Sequence, residues 1–350
     1  MQFLQISQGL LMSTLSSIHP RQALFGAEAH GHALPVCDHY AGVEARMRKS
    51  LALQADMARE SGRALFDVTL DLEDGAPVGG EDEQLALICE LLNSAANACE
   101  RVGVRVHDPR HRFFEQEVDT LVRHAGARLA YLMVPKLADA ESARLAVATI
   151  REARLRHGVE RIVPVHGLIE THRALQQVHE IAALPGIESL SFGLMDFVSE
   201  HRGAIPASAM SVTGQFSHPL VLRAKLEISA ACHAAGITPS HCVVTEFKDR
   251  RGLAKAAERA AYELGYTRMW SIHPDQIPVI INAFAPVTVE VDDAVAILDA
   301  AQAAHWAPIS HNGVLHDRAS YRHYWHVLER AWLTGQPLPA EVQAAFFAQP

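Results

Sequence analysis

Residues 161–197 read RIVPVHGLIETHRALQQVHEIAALPGIESLSFGLMDF. Two apolar runs stand out, VPVHGLI and IESLSFGLM, and each ends on a carboxylate, Glu170 and Asp196. The runs are continuous rather than alternating, which is the pattern of strands covered on both faces. The stretch reads as two consecutive strand–helix units with an acid at the same point of each, 26 residues apart.

The same unit recurs outward along the chain. Further apolar runs are ALPVCDHY (33–40), FDVTLDLED (66–74), VGVRVHD (102–108), YLMVPKL (131–137), ITPSHCVV (237–244) and MWSIHP (269–274). Amphipathic stretches such as EDEQLALICELLNSAANACERV separate them, with apolar residues recurring at three and four. Eight strand–helix units in succession predict an α/β fold, a (β/α)8 TIM barrel, over residues 31–285. An open doubly wound sheet is the alternative, but no GxGxxG or GxxxxGK[ST] follows the first strand. From Pro286 the pattern changes to VDDAVAILDAAQAAHW, SHNGVLHD and RASYRHYWHVLERAWLTG, which predicts a C-terminal helical extension over 286–350. Residues 1–30 read as an N-terminal extension.

Composition narrows the function. Of 350 residues, 49% are apolar, enough for a large core, and the net charge of −9 supplies no basic stripe for nucleic acid. The five cysteines include no CxxC pair, so they read as reduced residues of a cytoplasmic protein. No apolar stretch reaches the ~18 residues of a membrane span, and the start lacks the basic region of a signal peptide.

Barrel active sites lie at the C-terminal ends of the strands. The polar residues expected there are Asp71, Glu73 and Asp74 after the second run, Arg105, His107 and Asp108 after the third, and Lys136 after the fourth. Glu170, Asp196, His241 and His273 follow from the last four. Hard divalent cations take oxygen ligands, and Mg²⁺ is commonly held by one or two carboxylates with waters and substrate oxygens completing the shell. Glu170 and Asp196 on neighbouring strands meet that need; oxygen ligands suit Mn²⁺ as well. Arg105 has the planar fork that grips a carboxylate. The open alternative is that each acid is an N-cap or first-turn residue beside a helix dipole.

The motifs LDLEDGAP, VRVHD, MVPK, LIETHRAL, FGLMDF and GYTRMWSIHPDQIPVI, in that order over residues 60–330, resemble the HpcH/HpaI aldolase and citrate lyase superfamily. They look most like its CoA-ester branch, with citrate lyase beta subunits and malyl-CoA lyases. The resemblance implies a barrel with a C-terminal helical extension that cleaves a carbon–carbon bond of a 3-hydroxyacyl-CoA. It implies Mg²⁺ on Glu170 and Asp196, and Arg105 on the carboxylate end of the acyl group or of a 2-oxo acid. It implies Glu73 and Asp74 as hydrogen-bonding acids of the catalytic centre, with Lys136 supporting them or touching substrate. Gly313 and Asp317 match a GxxxD motif whose Asp, in relatives, serves as acid/base in a neighbouring subunit's site. A homo-oligomer, trimeric or hexameric, follows from that implication.

The chemistry suits these residue types. Cleavage leaves an enolate of acetyl-CoA or a homologue, the metal polarises the carbonyl of the other fragment, Arg105 orients that fragment, and a carboxylate moves the proton. Three features depart from the family pattern. No FVPG closes the first strand, His107 stands where Asn is usual, and His172 follows the Glu–Thr pair. Two other readings stay open: a metal-dependent aldolase on free 2-oxo acids without CoA, and a subunit of a larger lyase complex.

Overall fold

All eight apolar runs carry strands in the computed structural model, which describes residues 19–26 and 33–347. They are β1 (Cys37–Ala41), β2 (Phe66–Asp71), β3 (Val102–Arg105), β4 (Leu132–Val134), β5 (Val165–Ile169), β6 (Ile187–Phe192), β7 (Thr238–His241) and β8 (Arg268–Ser271). Each pairs in parallel with the next, and β8 returns to β1 through Cys37↔Met269, Asp38↔Trp270 and His39↔Ser271. The result is a closed (β/α)8 barrel. In runs 66–74, 102–108 and 187–196 the strand stops short of the run, and the polar ends become βα loops.

The helices follow from spacing and end chemistry. Phe114–Ala125 buries Phe114, Val118, Leu121, Val122 and Ala125 on one stripe. Its acids, Glu115 and Glu117, lie in the first turn, and Arg123 and His124 lie in the last, the arrangement the helix dipole favours. Ala140–Arg156 starts at a capping box, with Asp139 accepting from Ser142 N and the Ser142 side chain reaching back.

Alternate strand residues meet inside the barrel. Gly103 of β3 sits under the Tyr131 ring, where a Cβ would fall 2.1 Å from the ring edge, so only glycine fits. At the N-terminal end, Asp67 takes Arg101 Nε at 2.7 Å and Arg268 Nη1 at 2.6 Å. Asp38 accepts from Thr69 Oγ1 at 2.7 Å and from Tyr131 Oη at 3.1 Å, and faces Arg268 Nη2 at 3.3 Å.

The described residues divide into two compact units, Pro35–Phe284 and those before it taken with those from Ala285. In the second unit, helices Thr288–Ala303 and Arg318–Leu333 flank an antiparallel hairpin, Ile309–His311 and Val314–His316. The hairpin turns at Asn312 (φ 49°) and Gly313 (φ 77°), the pair of left-handed residues a type I′ turn requires. Residues 1–18 and 27–30 of the expected N-terminal extension lie outside the described residues. Pro20–Phe25 between them is a helix whose Leu24 joins a core with Leu298, Tyr321, Trp325 and Leu328. Among the described residues no helix is long and apolar enough to cross a membrane. All five cysteines are free thiols.

Candidate active site

The C-terminal mouth of the barrel collects charge. Asp71, the last residue of β2, is fully buried and accepts from Glu73 N at 3.0 Å and Gly75 N at 2.8 Å, which folds the loop after β2. Arg105, the last residue of β3, lies beside it in register. Its Nε and Nη2 grip both Asp71 oxygens at 2.7 and 2.5 Å, and its Nη1 meets Glu73 Oε2 at 3.1 Å. The guanidinium lies over the Tyr40 ring, 4.8 Å from its centroid. Tyr40 stacks in turn on Trp270 at 4.8 Å and donates its hydroxyl to Met133 Sδ. Arg105 is thus fixed by a fork on one edge and an aromatic face below.

Lys136 follows β4 in the left-handed region, φ 49°. Its Nζ donates to Glu73 and to Asp74 Oδ2, the latter at 3.1 Å. Its backbone N–H donates to Glu170 Oε2 at 2.6 Å. Glu170 follows β5 and is 3% exposed. Burial first, then the charge of Asp196, push its carboxyl up to about 8. Asp196 lies past the end of β6, in the first turn of helix Leu194–Glu200. Among the described residues no hydrogen bond or ion pair reaches its carboxylate. Gly193 lets the two segments meet, since a Cβ there would fall 2.2 Å from Glu170 Cγ.

These contacts decide the N-cap alternative for Glu170. Thr171, not Glu170, caps the following helix, accepting from Ala174 N at 3.0 Å. Asp196 does occupy a first turn, but that helix has Gly193 as its N-cap and no side-chain cap bond. Among the described residues, the mouth therefore holds two carboxylates with no ion pair of their own, next to an arginine. Among the described residues no three His, Cys, Asp or Glu side chains are grouped for a metal. Two carboxylates with room for water and substrate oxygens fit Mg²⁺, which rarely has an all-protein cage.

Of the expected residues, the structure brings Glu73, Asp74, Arg105, Lys136, Glu170 and Asp196 together. Asp317 belongs to the other unit, where it caps helix Arg318–Leu333 through Oδ1, accepting from Ala319 N at 2.9 Å and Ser320 N at 3.4 Å. The two unusual histidines are both engaged. His107 Nδ1 meets Glu117 at 2.6 Å, and His172 Nε2 meets His201 Nε2 at 2.5 Å. His241 is buried against Lys225, and His273 caps the short turn Pro274–Gln276. Sequence reading passed over the Tyr40–Trp270 pair and the grip of Asp71 on Arg105. A cavity of about 430 Å³ opens beside β1 and β8, lined by His39, Tyr40, Arg46, Lys49, Phe247 and His273 among others.

A profile of the HpcH/HpaI aldolase/citrate lyase family matches residues 50–274. The chain belongs to that family. It is an enzyme of the carbon–carbon lyase class. The L-malyl-CoA/beta-methylmalyl-CoA lyase of Cereibacter sphaeroides is 27% identical over 271 residues, 73% of this chain and 84% of that one. A solved citrate lyase from Burkholderia xenovorans is 50% identical, with a TM-score of 0.78 over 95% of this chain and all of that one. A CitE protein from Mycobacterium tuberculosis, solved with magnesium, acetoacetate and coenzyme A, shares the fold at 21% identity. Its TM-score is 0.61, over 85% of this chain and 98% of that one.

Proposed function

We propose that this family member makes or breaks the carbon–carbon bond of a 3-hydroxyacyl-CoA with the help of Mg²⁺ held by Glu170 and Asp196. The observation that carries the reading is the unbalanced carboxylate pair beside an anchored Arg105. When bound, the cation supplies a Lewis acid for the oxygen of the oxo fragment; Mn²⁺ satisfies the same ligands. Arg105 holds the fragment's carboxylate with the N–H groups that Asp71 and Glu73 leave over, and the Tyr40–Trp270 stack keeps its plane fixed. Glu73 and Asp74, tied to Lys136, order the hydrogen bonds around the pair. Glu73 is the nearer, and its second oxygen is on Arg105.

The cavity beside β1 supports a CoA ester over a free 2-oxo acid. Arg46 and Lys49 offer cations to phosphate groups, and the Phe247 and His273 rings stack at 5.0 Å as an apolar wall. Asp317 is the acid/base for the acyl carbon in a neighbouring copy's site, within a homo-oligomer. Its Oδ2 is left over by the cap, and the adjoining hairpin exposes Val314 and Leu315 at 57% and 73%. The free thiols fit a cytoplasmic setting.

The test is incubation with Mg²⁺, acetyl-CoA or propionyl-CoA, and glyoxylate, followed by mass spectrometry of the CoA species. A hydroxyacyl-CoA that forms with wild type and not with Asp196→Ala is the expected result. Condensation of pyruvate with an aldehyde and no CoA product would move the chain to the CoA-independent aldolases. Free CoA alongside the product would add a hydrolytic step.

A further inference from the structure

Lys136 has φ 49°, where the Cβ of an L residue crowds its own backbone. Glycine adopts that region freely. The position carries lysine, and both halves of the residue are used. The backbone N–H is on Glu170 Oε2 at 2.6 Å, while the ammonium reaches back to Glu73 and Asp74 in the loop after β2. One residue therefore spans the acids of the second strand and the acid of the fifth. With Oε2 held, the other Glu170 oxygen lies on the side of Gly193, where a Cβ would fall 2.3 Å from Oε1. Gly193 opens the helix that carries Asp196.

We propose that Lys136 is a positioning residue for the cation site. Its left-handed backbone turns Glu170 so that Oε1 faces the Asp196 side, and its tethered ammonium keeps that backbone in place. The cation feels the direction of an N–H, not the charge of the lysine. This rests on the metal reading above and adds how the first carboxylate is aimed. Strain of this kind persists where the surroundings over-determine it, and here three acids do so.

Three substitutions separate backbone from charge, because all of them remove the same ammonium. Lys136→Gly keeps the left-handed conformation at no steric cost, Lys136→Ala resists it, and Lys136→Val, branched at Cβ, resists it most. The measurement is Mn²⁺ binding to the full chain without substrate, read from the loss of the free-ion signal in electron paramagnetic resonance. The expected result is a Kd within about threefold of wild type for Gly, weaker for Ala, and weaker by about tenfold or more for Val. Should Val fail to fold by near-ultraviolet circular dichroism, the Gly–Ala pair carries the test. Equal losses in all variants would show that charge alone matters and overturn the proposal, as would no loss in any. A wild-type chain that takes up no Mn²⁺ would overturn the metal reading itself and this inference with it.

Discussion

Asp67 and Glu170 are buried carboxylates of one barrel, and their surroundings push them in opposite directions. Burial alone would raise Asp67, but Arg101 and Arg268 outweigh it and hold the carboxyl below its ordinary value. Burial raises Glu170 too, and there the neighbour is another acid, so it climbs to about 8. At the N-terminal end, two acids, Asp38 and Asp67, meet two arginines, and hydroxyls complete the network. At the mouth, among the described residues, the ion pairs of Asp71, Glu73, Asp74, Glu170 and Asp196 are confined to Arg105 and Lys136. A balanced set of buried charges needs nothing from outside. An unbalanced one is suited to a cation, and this one lies at the end where strand-to-helix loops leave space for substrate.

The sharpest way to break this contrast is to unbalance the quiet end. Arg268→Met leaves Asp38 and Asp67 without their shared partner and is expected to cost about 3–5 kcal/mol in denaturant unfolding, the usual effect of halving a buried pair. A loss below about 1 kcal/mol would mean that the network is not what holds that end together.

The next effect has the opposite sign. With its pKa raised from 4.5 to about 8, folded Glu170 keeps a proton that the unfolded chain has released between those values. The contribution of Glu170 to the stability of metal-free protein is therefore expected to fall as pH rises from 4.5 to 8 and to level off beyond. Glu170→Gln removes that slope. At pH 8 the metal-free variant is expected to exceed wild type by about 2–4 kcal/mol, with no gap near pH 4.5. Saturating Mg²⁺ should narrow the gap by stabilising wild type alone. A variant less stable than wild type at pH 8 would contradict the reading of Glu170 as a strained acid.

A smaller change tests the fork. Arg105→Lys keeps the charge but cannot span both oxygens of Asp71. We expect kcat/KM for the oxo-acid fragment to fall by about ten- to a hundredfold with unfolding temperature little changed. An unaltered KM would detach Arg105 from substrate. Smallest of all is Asp74→Asn. Its carboxylate is 59% exposed, so the bond to Lys136 is screened, and activity should stay within about threefold of wild type.

The sequence carried the barrel because its strands are continuous apolar runs, and it put Glu170 and Asp196 at the mouth because each follows such a run. What it could not carry depends on three-dimensional register. Asp71 stands one strand over from Arg105, and their pairing follows from Asp71↔Arg105 in the β2–β3 ladder. Tyr40 and Trp270 meet only because β8 closes onto β1. The ligand that Lys136 offers Glu170 is a main-chain N–H, which no side-chain pattern marks. Asp196 looked like a strand end and proved to be a helix first-turn residue, since FGLMDF turns at Gly193 rather than running on. Leu24 and its short helix were hidden because their partners lie some 300 residues on, Arg322 Nε donating to Leu24 O at 3.0 Å across a separation of 298.

The central claim is that the mouth is unbalanced by the acids that receive the cation. Calorimetric titration of metal-free protein with Mg²⁺ near pH 7, in buffers of different ionisation enthalpy, tests it directly. The account predicts a single site that releases protons as it fills and is lost in both Glu170→Gln and Asp196→Asn. A chain that binds no Mg²⁺, or binds it as tightly in those two variants, would contradict it.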